Sequence, residues 1–386
     1  MKVCLLIESL SVRGGTHKQL LRLAQYLRSS GDRVDIVTRE YEPSQCYEEF
    51  GGFEIRTAAR GVSGRLGRIA SGLRLEAMIP EDSDVLNVHD QGCELIVLES
   101  LRRRRALPVV WQINDLHPAY RAGPHTGAKA HWLHPLQRFI GRLVAKRCQA
   151  LTVNVTKNAG RVAKQMGVEA RVFYCGVDQA ISHPMRRRLG VPLHIISVGV
   201  LFRYRNYEAI IEALSLLGQR GIGADLTIVG STKYHPEYAC ELESLAEQLE
   251  VDVRFLGELP ASVLLERMAE SHVFVFVNLD QSWGLAAFEA LNMSLPVVLS
   301  ESVGAVELLR DNPSVRVVDP KSPAAIADAL AEMTSGQRHY ERLASTAFES
   351  VRAYTWDRLY GSNMRNLFLQ VANRKKHPTM SAAAGD

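Results

Sequence analysis

No apolar run in these 386 residues approaches the roughly 20 that a membrane-spanning helix needs, so no spanning segment is expected. The opening MKVCLLIESL holds only a short apolar stretch, with charged Glu8 inside it and Arg13 just beyond. It reads as a first buried strand and not as a secretory leader. Cysteine is sparse: Cys4, Cys46, Cys93, Cys148, Cys175 and Cys240 form no C-x-x-C pair and no cluster with histidine. That pattern sets aside a disulfide framework and a thiolate metal site, and points to reduced thiols in a cytoplasmic protein. There is no G-x-G-x-x-G, no H-E-x-x-H, and nothing like a zinc finger, basic zipper or RNA-recognition sheet. These absences argue against a dinucleotide-dependent oxidoreductase, a zinc hydrolase and a nucleic-acid-binding module. Low-complexity repeats are absent too.

What the chain does have is the material for two cores. Hydrophobic residues make up 46% and charged residues 23%, ordinary for a globular protein, and the length suits two domains better than one. The net charge of +4 conceals an asymmetry, with 26 Lys and Arg against 18 Asp and Glu in residues 1–180, and 20 against 24 beyond. A basic first half suits a membrane surface or a phosphorylated acceptor. Cations concentrate in RGVSGRLGRIASGLRLEAMI and LRRRRA. In the former, Val62, Leu66, Ile69, Leu73 and Ala77 share a helical face that Arg60, Arg65, Arg68 and Arg74 avoid. The segment fits either an anionic membrane surface or a surface helix packed on its own sheet.

Apolar runs alternate with helical periods through both halves, the pattern of doubly wound α/β domains. The first half offers VCLLIES, RVDIVTR, DVLNVHD, PVVWQIND, ALTVNVT and RVFYCGV as strands; the second offers HIISVGV, ADLTIVG, VRFLG, VFVFVN, PVVLS and VRVVD. Between the first two lies a helical pattern with Leu20, Leu23, Ala24 and Leu27 on one face and Gly31 as its stop. The division is therefore a Rossmann-like domain over 1–178, a linker at 179–192 and a second Rossmann-like domain over 193–355. A helix at 356–372 and a flexible tail at 373–386 follow.

Several strand ends carry chemistry. Open α/β sheets place ligands at the carboxyl ends of their strands. QSWGLAAFEALNMSLPVV joins two apolar strands, so Gln281, Ser282, Trp283 and Gly284 lie at such an end. A helix opening at Gly284 and Leu285 suits a phosphate, and Glu289, about one and a half turns on, suits ribose hydroxyls. Gly14 and Gly15 follow the first strand, either as a plain turn or as a loop that lets a ligand approach the backbone. His89, Asp90, Asn114 and Asp115 end two further strands, His89 reading equally as a structural or a ligand-facing group. Asn114 can give and take hydrogen bonds but cannot carry a proton. His117, His125, His131 and His134 sit within eighteen residues, yet without metal-ligand spacing they read as a polar loop.

The segment from Gln281 resembles the signature of the family-4 glycosyltransferases, E-x-F-G-L-x-x-x-E-A-x-x-x-G-x-P-V. Trp283, Gly284, Leu285, Glu289, Ala290, Pro296 and Val297 stand at matching places, whereas Gln281 replaces the first glutamate and Ser294 the glycine. SVGVLFRYR is similar to the family's G-R-L-x-x-x-K-G, with Gly199, Leu201 and Arg205 matching and Val200 in place of the arginine. VRFLG matches as well, and Glu307 stands where a supporting glutamate is common.

The resemblance implies the GT-B fold, two Rossmann-like domains facing a central cleft, with the last helix crossing back to the first domain. It implies a retaining transfer from a nucleotide-sugar, UDP-linked in the first instance, to a glycan or lipid-linked acceptor. Donor contacts would fall to Gly15, Arg203, Arg205, Leu256, Gly257, Gln281, Ser282, Trp283, Gly284, Leu285 and Glu289. Acceptor contacts would fall to Gly14, His89, Asp115 and His117. Arg205, Asn114 and Gln281 would be catalytic, Arg203 making up the missing cation, with no metal or other cofactor. Such a protein would work in the cytoplasm, at the inner face of the membrane. Gln281 and Asn114 keep a rival open, a catalytically silent nucleotide-sugar binder; a nicotinamide-dependent oxidoreductase is the more distant alternative.

Overall fold

The computed structural model describes residues 1–57, 74–89, 97, 99–100, 103, 107–114, 134–280 and 283–376. The chain divides into two compact units, Met1–Gly176 with the residues from Trp356 onward, and Val177–Thr355.

The first unit is built on a seven-stranded sheet: β1 (Lys2–Leu10), β2 (Arg33–Tyr41), β3 (Glu54–Thr57), β4 (Val85–His89), β5 (Val109–Ile113), β6 (Ala150–Val153) and β7 (Ala170–Val172). The spatial order is β3-β2-β1-β4-β5-β6-β7, and every pairing is parallel. β4 and β5 are buried along their whole length, as parallel strands covered on both faces must be, which is why they read as continuous apolar runs. Only β3 escapes the sequence pattern, because EIRT is a short, half-buried edge with no apolar run.

Helix Gly15–Ser29 follows β1 and buries Leu20, Leu23, Ala24 and Leu27. Gly31 ends it at φ 81°, a conformation natural to glycine. Helices His134–Arg147 and Thr156–Met166 flank β6. A π-helical turn, Asp357–Gly361, leads into helix Ser362–Lys376 and packs on helix Gly15–Ser29. A Cβ on Gly361 would lie 2.5 Å from Cγ of Tyr26, so only glycine admits that approach. Arg365 adds an ion pair to buried Asp32 at 2.7 Å. The helix runs on past residue 372, where a frayed tail was expected; Asn373 to Lys376 continue it, being good or tolerable helix formers. Of the basic face expected over residues 60–77, only Arg74 and Ala77 are described. Ala77 is exposed, while Leu75 and Ile79 are buried. Arg103 of the LRRRRA run pairs with Glu76 and Glu99.

The second unit has six parallel strands: β8 (Leu193–Val198), β9 (Ala224–Val229), β10 (Asp252–Phe255), β11 (Val273–Phe276), β12 (Val297–Ser300) and β13 (Val315–Val318), in the order β10-β9-β8-β11-β12-β13. Residues 179–192, expected as a linker, lack helix and strand but are packed into this unit. The Ala180 N–H donates to Oδ1 of Asn292 at 2.7 Å and the Met185 N–H to Oγ of Ser294 at 2.9 Å. Arg187 is buried and donates to the carbonyls of Met268, Ala269, Ser271 and Met293. These carbonyls lie at the ends of helices Ala261–Glu270 and Leu285–Asn292, where helical partners run out. The family's glycine place is taken by Ser294 at φ 59°, so that position calls for a left-handed conformation and not merely a small residue.

Candidate functional site

In the second unit the strand order reverses between β8 and β11, and ligands of such sheets bind outside the carboxyl ends at that point. β8 runs into Gly199, whose N–H donates to the Val229 carbonyl and whose own carbonyl accepts from the Tyr207 hydroxyl at 2.8 Å. The turn Arg203–Arg205 ends on Asn206 at φ 61°. The Asn206 amide donates to the carbonyls of Val277 and Pro320, and the Leu279 N–H donates to the Tyr204 carbonyl. The loops after β8 and β11 are thereby pinned to each other.

That pinning sets Arg205. A Cβ on Gly199 would fall 2.7 Å from Cζ of Arg205, so the guanidinium packs against bare backbone. The rings of Tyr204 and Phe276 lie 5.2 and 5.4 Å from Cζ. Among the described residues Arg205 has no ion pair, and its buried Nε has no acceptor. A half-buried cation without a carboxylate favours an anionic ligand. Gly230, which the sequence pattern does not single out, closes the neighbouring strand: a Cβ there would sit 2.0 Å from the Gly199 carbonyl oxygen. Only its place at the end of ADLTIVG hinted at the constraint.

Helix Leu285–Asn292 opens on Gly284 at φ 101°, where a Cβ would meet Cγ1 of Val303 at 2.8 Å. Its first-turn N–H groups and helix dipole present partial positive charge. Glu289 is half-buried, one turn after Leu285.

Other expected donor residues lie elsewhere. Arg203 does not stand beside Arg205. It is exposed and makes a two-pronged ion pair with Glu241, both bonds 2.7 Å, over the ring of Tyr238, because helix Pro236–Gln248 presents both partners to it. Trp283 is buried and stacked on Phe288 with centroids 5.0 Å apart, and its carbonyl accepts from the Ala305 N–H. It therefore braces the helix start. The Leu256 N–H goes to the Ile228 carbonyl and the Gly257 carbonyl accepts from Gly230, leaving the Leu256 carbonyl and the Gly257 N–H at this loop. Glu307 is exposed. Gln281 and Ser282 lie outside the described residues.

The first unit has the same reversal, between β1 and β4. Gly14 enters helix Gly15–Ser29 in extended conformation, and Gly15 is exposed at its start. Beside them is a buried polar network. The Asn114 amide donates to Oγ1 of Thr16 at 3.2 Å, and its Oδ1 accepts from Gln112 at 3.0 Å. Gln112 in turn accepts from Thr152 at 2.6 Å, while Asn158 donates to the Asn114 carbonyl at 2.7 Å. His89 is fully buried at the end of a strand covered on both faces, and its Nδ1 has no hydrogen-bond partner among the described residues. Its Nε2 donates to Oδ1 of Asn87 at 2.8 Å. Burial, and then the neighbouring His17, push its pKa down to about 3. His17 is also held below the usual histidine range by burial, against the opposing effect of its 2.9 Å bond to the Ser9 carbonyl. Thr16, His17, Asn87, Gln112 and Asn158 were missed in the sequence. The signal for Asn87 and Gln112 was a polar residue inside an apolar strand. Asp90, Asp115, His117, His125 and His131 lie outside the described residues; His134 is buried. Among the described residues no three His, Cys, Asp or Glu side chains come together as metal ligands.

Two parallel sheets, with an arginine that has no ion pair among the described residues and a glycine-led helix start at the reversal of the second, define a doubly wound α/β protein of two Rossmann-like units. The comparisons sharpen that class. Residues 13–180 match the family model described as Glycosyltransferase Family 4, and residues 186–350 that described as Glycosyl transferases group 1. A D-inositol 3-phosphate glycosyltransferase of Thermomonospora curvata is 25% identical, over 96% of this chain and 93% of the relative. Sucrose-phosphate synthase of Thermosynechococcus elongatus superposes with a TM-score of 0.80 at 16% identity, covering 96% of this chain and 99% of that one. Anabaena HepE in complex with UDP and glucose superposes with a TM-score of 0.78 at 15% identity, covering 96% and 100%. The chain belongs to the family-4 glycosyltransferases and has the GT-B fold. Among the described residues no helix is long and apolar enough to cross a membrane.

Proposed function

We propose that this glycosyltransferase moves a sugar from a UDP-sugar to an acceptor hydroxyl with retention of configuration. The observation that carries the reading is Arg205, a half-buried guanidinium without an acidic partner among the described residues, at the reversal point of the second sheet. Breaking the sugar–phosphate bond builds negative charge on the leaving diphosphate. A fixed cation and first-turn N–H groups lower that barrier directly. In this reading the diphosphate lies against Arg205 and the start of helix Leu285–Asn292, and Glu289 accepts the ribose hydroxyls. The Leu256 carbonyl and the Gly257 N–H meet the base. Gln281 holds sugar hydroxyls as a neutral amide. Asn114, fixed by Thr16 and Gln112, positions and does not titrate. Retention then follows from attack on the face the diphosphate leaves, with a phosphate oxygen taking the acceptor's proton. The reading asks for no metal.

The acceptor is a glycan or lipid-linked hydroxyl, to which the T. curvata relative's name adds a phosphorylated polyol. Calorimetry with UDP, followed by a UDP-sugar panel and determination of the product anomer by NMR, tests the whole proposal. UDP binding, slow donor hydrolysis without acceptor and chelator-resistant transfer with retention are expected. Tight binding without hydrolysis or transfer across a broad acceptor panel would establish the silent binder instead. NAD binding without UDP binding would overturn both.

A further inference from the structure

Helix His134–Arg147 of the first unit has two apolar faces. One buries Val144 and Ala145 beside Gly141. The other points outward: Leu136 is 55% exposed and Phe139 59%, with half-buried Leu143 one turn on. Their i, i+3, i+7 spacing sets them in one stripe. Exposed Arg142, Lys146 and Arg147 flank that stripe on the same side of the helix. The neighbouring helix Thr156–Met166, tied on by a 2.6 Å bond from Nε of Arg142 to the Gln165 carbonyl, adds Lys157, Arg161 and Lys164. Between Asp115 and Glu169 the sequence holds no acidic residue at all.

We propose that this face docks the first unit onto an anionic lipid bilayer. Leu136 and Phe139 enter the boundary between headgroups and acyl chains while Arg142, Lys146 and Arg147 meet lipid phosphates. Charge selects this occupant over the others. A second copy of the chain would bring the same acid-free surface against itself, like charge against like. Nucleic acid would satisfy the cations but offers no apolar layer to an exposed Leu and Phe. The surface is separate in sequence from the basic stretch at residues 60–77, and it stands independently of the donor chemistry above.

Co-sedimentation with vesicles decides it, comparing phosphatidylglycerol mixed with phosphatidylcholine against phosphatidylcholine alone. The wild type is expected to bind only the anionic vesicles and to release as salt rises. Leu136→Ser with Phe139→Ser should lower partitioning at least about tenfold, since two large apolar side chains no longer enter the interface. Lys146→Glu with Arg147→Glu should lower it at least as far. All four positions are exposed or flank the exposed stripe, so melting and UDP affinity should hold in both variants. Binding indifferent to lipid charge, or unchanged in either variant, would overturn the proposal. A wild type that dimerises, ignores vesicles and becomes monomeric on Phe139→Ser would assign the face to a second copy.

Discussion

The two sheets reach their reversal points with the same local order, β2-β1-β4 in one and β9-β8-β11 in the other, and finish them in opposite ways. The first edge is closed with side chains: Asn87, Gln112, Asn114, Thr152 and Asn158 use their polar atoms on one another and on backbone, and His89 gives its Nε2 to Asn87. The second is opened with glycines. Gly199, Gly230 and Gly284 remove side chains where backbone must approach closely, and they leave Arg205 without a counter-charge among the described residues. Topology says where a ligand goes. Whether charge is available there depends on which residues end the strands.

The largest expected effect attacks the open edge. Arg205→Ala should cut the transfer rate by about 10²–10³-fold, the scale of losing one preorganised group on a developing anion. Steady-state kinetics at saturating donor would read it, and a loss below tenfold would make the second edge no more catalytic than the first. The closed edge is tested by acid. Unfolded His89 takes up a proton near pH 6.5, while the folded state resists until about 3, so between those values the unfolded state binds more protons. Stability should therefore fall as pH drops below about 6.5, by about 1.4 kcal/mol per pH unit from this residue, with His17 adding in the same direction. Urea unfolding of His89→Leu across that range should show a shallower slope; an unchanged slope would mean that the network admits the charged form. Next comes Glu289→Ala, expected to weaken UDP by about 1–3 kcal/mol, because two ribose hydroxyls lose a charged acceptor. Calorimetry giving unchanged affinity in a folded variant would move the ribose elsewhere. Arg203→Ala should be the smallest, less than about threefold in rate, since its exposed pair with Glu241 is screened by water.

Strands covered on both faces announce themselves as apolar runs, and VFVFV and PVVLS needed nothing more to be placed. β3 did not, because an edge strand such as EIRT owes its pairing to its neighbour. The motif's spacing placed Gly284 and Leu285 at a helix start, Glu289 one turn on and Arg205 beside the reversal point. It misled where a side chain chose a partner far away in sequence. Arg203 sits two residues from Arg205, but Glu241 on a later helix decides where it points. Trp283 stands inside the signature, yet Phe288 on the following turns claims its ring. His89 ends a strand on the ligand side, and burial, invisible in spacing, decides that it faces Asn87. The segment 179–192, read as a linker, is aperiodic as expected and is bonded into the second unit all the same. Aperiodic segments can still be fully bonded, and Arg187 has its partners eighty and more residues away.

The second unit begins and ends on a single pairing: Val177 bridges Thr355 in parallel, its N–H donating to the Tyr354 carbonyl at 2.8 Å. In terms of gene architecture, it is an insertion with touching ends. Excision as one piece, from residue 177 to 355, should leave a short gap for a few glycines to rejoin. A cut placed at 193 instead would strip Arg187 from four helix-end carbonyls and leave them buried without donors.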